Sequence, residues 1–269
     1  VDDALRRASF DEAPAADSRP GKAPELSRRI ALAVDLGRAK EAEGRWEDAL
    51  LDYQRAVELA RGGNKRFRSH AVNAELGSAY HRMGVACDRL GRFGQAREHY
   101  AEALRLRPTD ARVWNDAGYS DSLQGNSEEA IRKIKEALRL APTDARVANN
   151  LGIALANAGR VDEAVALVTR HSGPAAAHAN VAYVLAAQGK HDLARRHYER
   201  AVQFQPSLGL AREALAALDR RAIDPDRIAA RTPSPRPVNV ATHSPNTAAV
   251  ADSKVSRTDG ARPAKLAPR

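Results

Sequence analysis

The sequence predicts an all-α fold: about five helical hairpins stacked into a right-handed α–α superhelix, closed by one further helix. Three observations carry that expectation. Residues 102–113 read EALRLRPTDARV and residues 136–147 read EALRLAPTDARV, identical at eleven of twelve places at an offset of 34. A near-duplicate at this spacing marks stacked helix–turn–helix units. The segment between the copies carries start and stop signals for two helices, and no stretch reads as a strand.

Each element of that unit has a physical reason. Asp110 is a good N-cap, because its carboxylate can accept from the first free backbone N–H groups. The helix it opens runs to Gly125, since glycine readily takes the left-handed conformation that closes helices. Asn126 and Ser127 are expected to cap a second helix, with Glu128 and Glu129 set against its N-terminal dipole. Ala130, Ile134 and Ala137 give that helix one apolar face. Pro142 ends it, because proline disfavours helical conformation in the residue before it.

At these residues the chain resembles the tetratricopeptide repeat family. The positions that carry the resemblance read Trp114, Ala117, Gly118, Ala130, Ile134, Ala137 and Pro142. The family's small residues let the paired helices approach closely. Asp121 departs from the pattern, standing where a large apolar side chain is expected. It is either solvated at a loosened edge or held by a polar partner.

The other units follow in register. Residues 1–29 mix Pro, Ala and charge without period and read as a disordered lead-in, with a helical turn near Ala4 and Phe10. A repeat domain is expected over 30–222. Its first repeat, 30–63, carries Leu36, Gly37, Gly44, Ala49, Tyr53 and Ala56, with Lys40 a polar departure. Residues 64–76 are an insertion without a breaker, expected to lengthen the next helix. The second repeat, 77–110, has Tyr80, Met83, Gly84, Cys87, Gly91, Ala96, Tyr100, Ala103 and Pro108; the third is 111–144. The fourth, 145–174, breaks off at Gly173 and Pro174, about four residues short, a turn of helix lost from its second helix. The fifth is 175–208, and 210–221 is an amphipathic capping helix of the kind terminal repeats require. From 223 to 269 the chain becomes a basic tail rich in Pro, Ser and Ala, read as disordered, with PPII character at 232–238. Ser234-Pro235 and Ser244-Pro245 are candidate modification or PPII-reader sites within what otherwise reads as a tether.

Composition narrows the function. The chain has 269 residues, a formal charge of +9, 43% apolar residues and only 4% aromatic ones, so its core is built from Ala, Leu and Val. No apolar run is long enough to span a bilayer. Cys87 is the one cysteine, which excludes an internal disulfide and a cysteine metal cluster; on a first helix it reads as a small buried hydrophobe. The eight histidines show no metal-ligand spacing. There is no Gly-rich phosphate loop and no G-x-S-x-G. The expectation is a non-enzymatic protein without cofactors.

Function is therefore expected on the concave side, which first helices line in a stack of this kind. The candidate groove residues are Arg82, Arg112, Asn115, Tyr119, Arg146, Asn149, Asn150, Asn180 and Tyr183. Asn150 and Asn180 occupy equivalent places, as do Asn115 and Asn149, and an amide both donates to and accepts from a peptide backbone. The resemblance implies that these asparagines hold an extended peptide; the alternative is that they bond between repeats. The Lys, Asn and Arg clamp with which some relatives grip a terminal carboxylate is not reproduced, because Asp116, His81 and Val85 stand in its way.

The competing function is a basic adaptor for nucleic acid or an anionic membrane surface through Lys65, Arg66 and Arg68. Against it, most positive charges are interleaved with Glu and Asp along the helices, as on a solvated face. Over residues 77–220 the chain also resembles bacterial cell-envelope repeat proteins, including the lipoprotein component of Flp/Tad-type pilus assembly. That resemblance implies a protein or peptide partner and an envelope or periplasmic location, with the cytoplasm as the alternative. The chain opens on Val1 without a charged-then-apolar leader, as a processed chain does.

Overall fold

The computed structural model of the chain describes residues 22–62 and 70–223. These form ten helices: α1 Lys22–Ala42, α2 Trp46–Gly62, α3 His70–Arg89, α4 Phe93–Leu106, α5 Ala111–Leu123, α6 Ser127–Leu140, α7 Ala145–Asn157, α8 Val161–Ala187, α9 His191–Phe204 and α10 Gly209–Ile223. Each helix packs on the next, so the array is a right-handed stack of hairpins that ends on α10.

Tight turns at fixed positions set the hairpins. Gly44, Gly91, Gly125, Gly159 and Gly189 all have positive φ, and each closes the turn between the helices of one pair. Glycine takes this conformation without a Cβ penalty. Asp110 and Asp144 cap α5 and α7, each accepting from backbone N–H groups two or three residues on. Asn126 does not behave as expected: it stands at the N-cap of α6, but its side chain makes no capping bond.

Close approach of paired helices explains a second set of glycines. A Cβ added at Gly118 would lie 2.5 Å from Ile134 Cγ1, 3.1 Å from the Ala130 carbonyl oxygen and 3.2 Å from the Ile134 nitrogen. At Gly84 and Gly37 the obstruction is instead the ring of Tyr100 or Tyr53.

Three boundaries bear on the expected register, and the first and last differ from it. α1 begins at Lys22, inside the stretch read as lead-in. Pro24 fits its first turn because an N–H there has no intrahelical partner anyway, and Leu26 packs on the core. α3 begins at His70, ahead of the repeat register, so the insertion does lengthen it; residues 63–69, with Lys65, Arg66 and Arg68, lie outside the described residues. The expected helical turn near Ala4 and Phe10 and the tail beyond 223 also lie outside them. In the fourth repeat the loss falls largely on the connecting turn. α8 is interrupted by a kink at Gly173, whose φ of 85 leaves the helical region and does the work of residues 141–144 in the third repeat. Pro174 then opens the second limb of α8.

The apolar core is divided. One large cluster joins α1 to α4 and takes in Val113 and Ala117 of α5; a second begins with Ala130, Ile131 and Ile134 of α6 and runs to Leu218 of α10. A small third one, Val168, Ala176 and Ala177, lies within α8 about its kink. Polar side chains are buried where the clusters meet. Asp121 is only 3% exposed, and its carboxylate receives Lys133 Nζ at 2.7 Å. The polar partner is thus the reason an acid stands at an apolar position. Cys87 is buried as expected, and burial pushes its thiol up to about 11.

Candidate binding groove

First helices touch one another along one side of the stack, α1 to α3, α3 to α5 and α5 to α7. That side is the inner wall of the superhelix. Within each first helix, residues at the second, fifth, sixth and ninth places share the inner face by helical period, as Arg112, Asn115, Asp116 and Tyr119 do in α5.

Polar contacts between neighbouring repeats run along this wall as a ladder. The fifth residue of one first helix meets the sixth of the next. His81 Nε2 lies 2.8 Å from Asp116 Oδ2; Asn150 Nδ2 donates to Asn115 Oδ1 at 2.9 Å; Asn180 Nδ2 donates to Asn149 Oδ1 at 3.4 Å. The sequence separations are 35, 35 and 31, so the four residues missing from the fourth repeat appear in the last rung.

These rungs correct the expected role of the asparagines. Asn115, Asn149 and Asn180 are each 1% exposed and Asn150 is 6% exposed. One amide group of each is engaged between repeats, with bonds that run from Asn150 to Asn115 and from Asn180 to Asn149, while Asn180 Oδ1 is buried without a hydrogen-bond partner.

Asp116 gathers the strongest polar set. Besides His81 it receives Asn115 Nδ2 at 2.9 Å, and an Arg146 guanidinium nitrogen lies 3.7 Å from its other oxygen. Burial alone would raise its pKa, but the His81 hydrogen bond, with the Arg146 charge and the Asn115 hydrogen bond, outweighs that and holds it below the usual carboxylate value. Two other carboxyls go the opposite way. Asp88 accepts from Tyr100 Oη at 2.8 Å and Ser120 Oγ at 2.7 Å, yet burial keeps its pKa raised. Glu41 lies 3.3 Å from an Arg82 nitrogen and is also raised by burial.

The remaining candidates are exposed to different degrees. Arg82 is tied to Glu41, and Arg146 to Asp116 and, at 3.9 Å, to Asp144. Arg112 folds back on the capping Asp110 at 3.3 Å. Tyr119 and Tyr183 are half-buried, and burial raises both phenols.

Sequence reasoning missed two features. Arg89, at the end of α3, is exposed and stacks over the ring of Trp46 at 5.4 Å. His178 and His197 bring their Nδ1 atoms to 3.0 Å, with the Phe204 ring stacked on His178. The second was signalled, because His178 holds the place of Trp114 in its repeat. Among the described residues, no three His, Cys, Asp or Glu converge as a metal site, and no helix is long and apolar enough to cross a membrane.

Comparison with known proteins agrees with this architecture. Tetratricopeptide repeat profiles match residues 77–110, 123–174 and 175–208. No curated protein matches the chain in sequence. Among solved structures, YrrB, described as a TPR protein with an unusual peptide-binding site, is 24% identical, covering 72% of this chain and 95% of its own at a TM-score of 0.50. MamA from Desulfovibrio magneticus is 19% identical, covering 67% and 97% at 0.51. PilF of Pseudomonas aeruginosa is 21% identical, covering 75% and 95% at 0.51.

Proposed function

We propose that this chain, which belongs to the tetratricopeptide repeat family, is a non-enzymatic scaffold that holds a segment of a partner protein along its concave wall. The observation that carries the reading is that wall itself: first helices laid side by side and joined by the rungs from His81 to Asn180. Arg82, Arg112, Tyr119, Arg146 and Tyr183 are the ligand contacts the proposal assigns to it. A surface fixed in advance loses little conformational freedom on binding. YrrB, with its unusual peptide-binding site, supplies a precedent for a peptide in such a stack; the bacterial envelope or a pilus or secretion assembly is the setting the sequence resemblance implies.

Site-specific photo-crosslinking in the source cell tests the proposal. A photoreactive residue at Tyr183 should capture a partner, while one at the exposed Leu51 of α2, on an outer helix, should not. Capture from Leu51 alone, or capture lost on Arg66→Glu with Arg68→Glu but kept when the wall is altered, would move the function to another face.

A further inference from the structure

We infer that the groove selects a segment carrying an acidic residue at one end and a bulky apolar one at the other, read by Arg89 and by a Tyr119–Ile153–Tyr183 saddle. This deepens the scaffold reading and rests on it.

The argument starts from what the ladder removes. With the asparagine amides buried in rungs, the wall lacks a row of free backbone-reading groups, so recognition passes to the side chains left facing outward. At the ninth place of three successive first helices stand Tyr119, Ile153 and Tyr183. Ile153 is buried as the floor, and a half-buried ring rises from the repeat on either side. Leu123, one turn beyond Tyr119, is 49% exposed and extends the apolar surface. Aromatic walls over an aliphatic floor suit one bulky apolar side chain, since such rings bury large areas at modest entropy cost.

At the other end lies Arg89. Among the described residues no carboxylate is within ion-pair distance of it, unlike Arg82, Arg112 and Arg146. Its guanidinium carbon lies over the Trp46 ring, 5.4 Å from the centroid, and its charge opposes the rise that burial gives the Tyr119 phenol. A guanidinium stacked on a ring keeps its N–H edge free, and that edge matches a carboxylate in two-point geometry. From the second repeat to the fourth is two helix spacings. At about 8–10 Å each, that is roughly 16–20 Å, or five to six residues of extended chain.

Short fluorescein-labelled Gly/Ser peptides carrying one Asp pair and one Phe at systematically varied separation test this by fluorescence anisotropy with the full chain. Binding should be tightest near the five-to-six-residue separation. It should weaken roughly tenfold or more with Arg89→Glu, with Tyr119→Ala plus Tyr183→Ala, and when Phe is replaced by Asn. Arg89→Glu should melt as the parent does, because Arg89 is exposed. Tyr119→Ala plus Tyr183→Ala removes two half-buried rings and should melt lower, so its binding is read at a temperature where the melt shows it folded. Equal binding by the Asn peptide, or by Arg89→Glu, overturns the inference. Groove-dependent binding of peptides without the pattern overturns it while leaving the scaffold reading intact. No binding by any peptide, together with no crosslink from Tyr183, removes both.

Discussion

The Asp121 carboxylate and the Lys133 ammonium meet at 2.7 Å in the third repeat at the two places where Lys40 and Asp52 meet at 2.7 Å in the first, with the charges exchanged. In both repeats the partners are twelve residues apart, and in the fourth the same places hold Leu155 and Leu167. In these three repeats the pair is complementary, in either polarity or as hydrocarbon, while the second and fifth hold Cys87 with His99 and Leu185 with His197.

Asp121→Leu alone should destabilise the chain by about 1–3 kcal/mol, because it leaves the half-buried Lys133 ammonium with Glu129 at 3.6 Å as its remaining carboxylate. The exchange Asp121→Lys with Lys133→Asp should recover most of that loss. Leu at both places should be neutral or stabilising by about 1–4 kcal/mol. Urea unfolding of the three variants gives the order; an exchange as damaging as the single change would show that the surroundings, and not the pair, fix the polarity.

Gly118→Leu should cost about 1–3 kcal/mol or more. The added atoms meet the backbone of Ala130 and Ile134, which cannot rotate aside. Gly62→Ala is the control, because nothing lies within 4 Å of the added Cβ, and its effect should stay within about 0.5 kcal/mol. Equal midpoints for the two would place the α5–α6 contact elsewhere.

Asn150→Ala and Asn180→Ala should each lower stability by about 1–3 kcal/mol, because each leaves a buried amide oxygen on Asn115 or Asn149 without its donor. On a groove-lining reading the same changes would spare stability and weaken only binding. Chemical denaturation without any ligand separates the two outcomes.

The His178–His197 pair should make the fifth repeat acid-sensitive. Burial lowers the pKa of both imidazoles; the charge of Arg200 lowers both further, and His178 lowers His197, while Asp162 opposes at His197. Since the folded values lie below the ordinary 6.5, the unfolded chain takes up protons first. Stability is then full above pH 6.5 and falls as the pH drops through it toward the folded values. His178→Phe, which places an aromatic ring where Trp114 stands in the third repeat, should flatten that slope. A melting temperature that drops with acid as steeply in the variant as in the parent would assign the sensitivity to other groups.

How much of this was legible in the sequence depended on distance along the chain. Glycine closures and aspartate caps act over a few residues and read directly from the letters. The repeat period then fixed which faces meet, including the close approach at Gly118. Partners set by stacking were harder. Nothing local says that Asn150 bonds to Asn115 and not to a ligand, because the same amide serves either use. Asp121 read as an anomaly until Lys133, on the other helix of the hairpin, neutralised it. The start of α1 was missed because Pro24 reads as a breaker, although a first turn tolerates it.

The division of the apolar core bears on how the molecule comes apart. In stacked repeats stability is a sum of units and nearest-neighbour interfaces, and opening can begin wherever an interface is weakest. Here α1 to α4 and α6 to α10 belong to separate clusters, joined through α5. Hydrogen exchange should therefore resolve two cooperative blocks that open with different free energies. A ligand lying from Arg89 to Tyr183 would touch both blocks at once. Its binding energy would add to each only while the other stays closed, so a loaded chain should unfold in one step where the free chain unfolds in two.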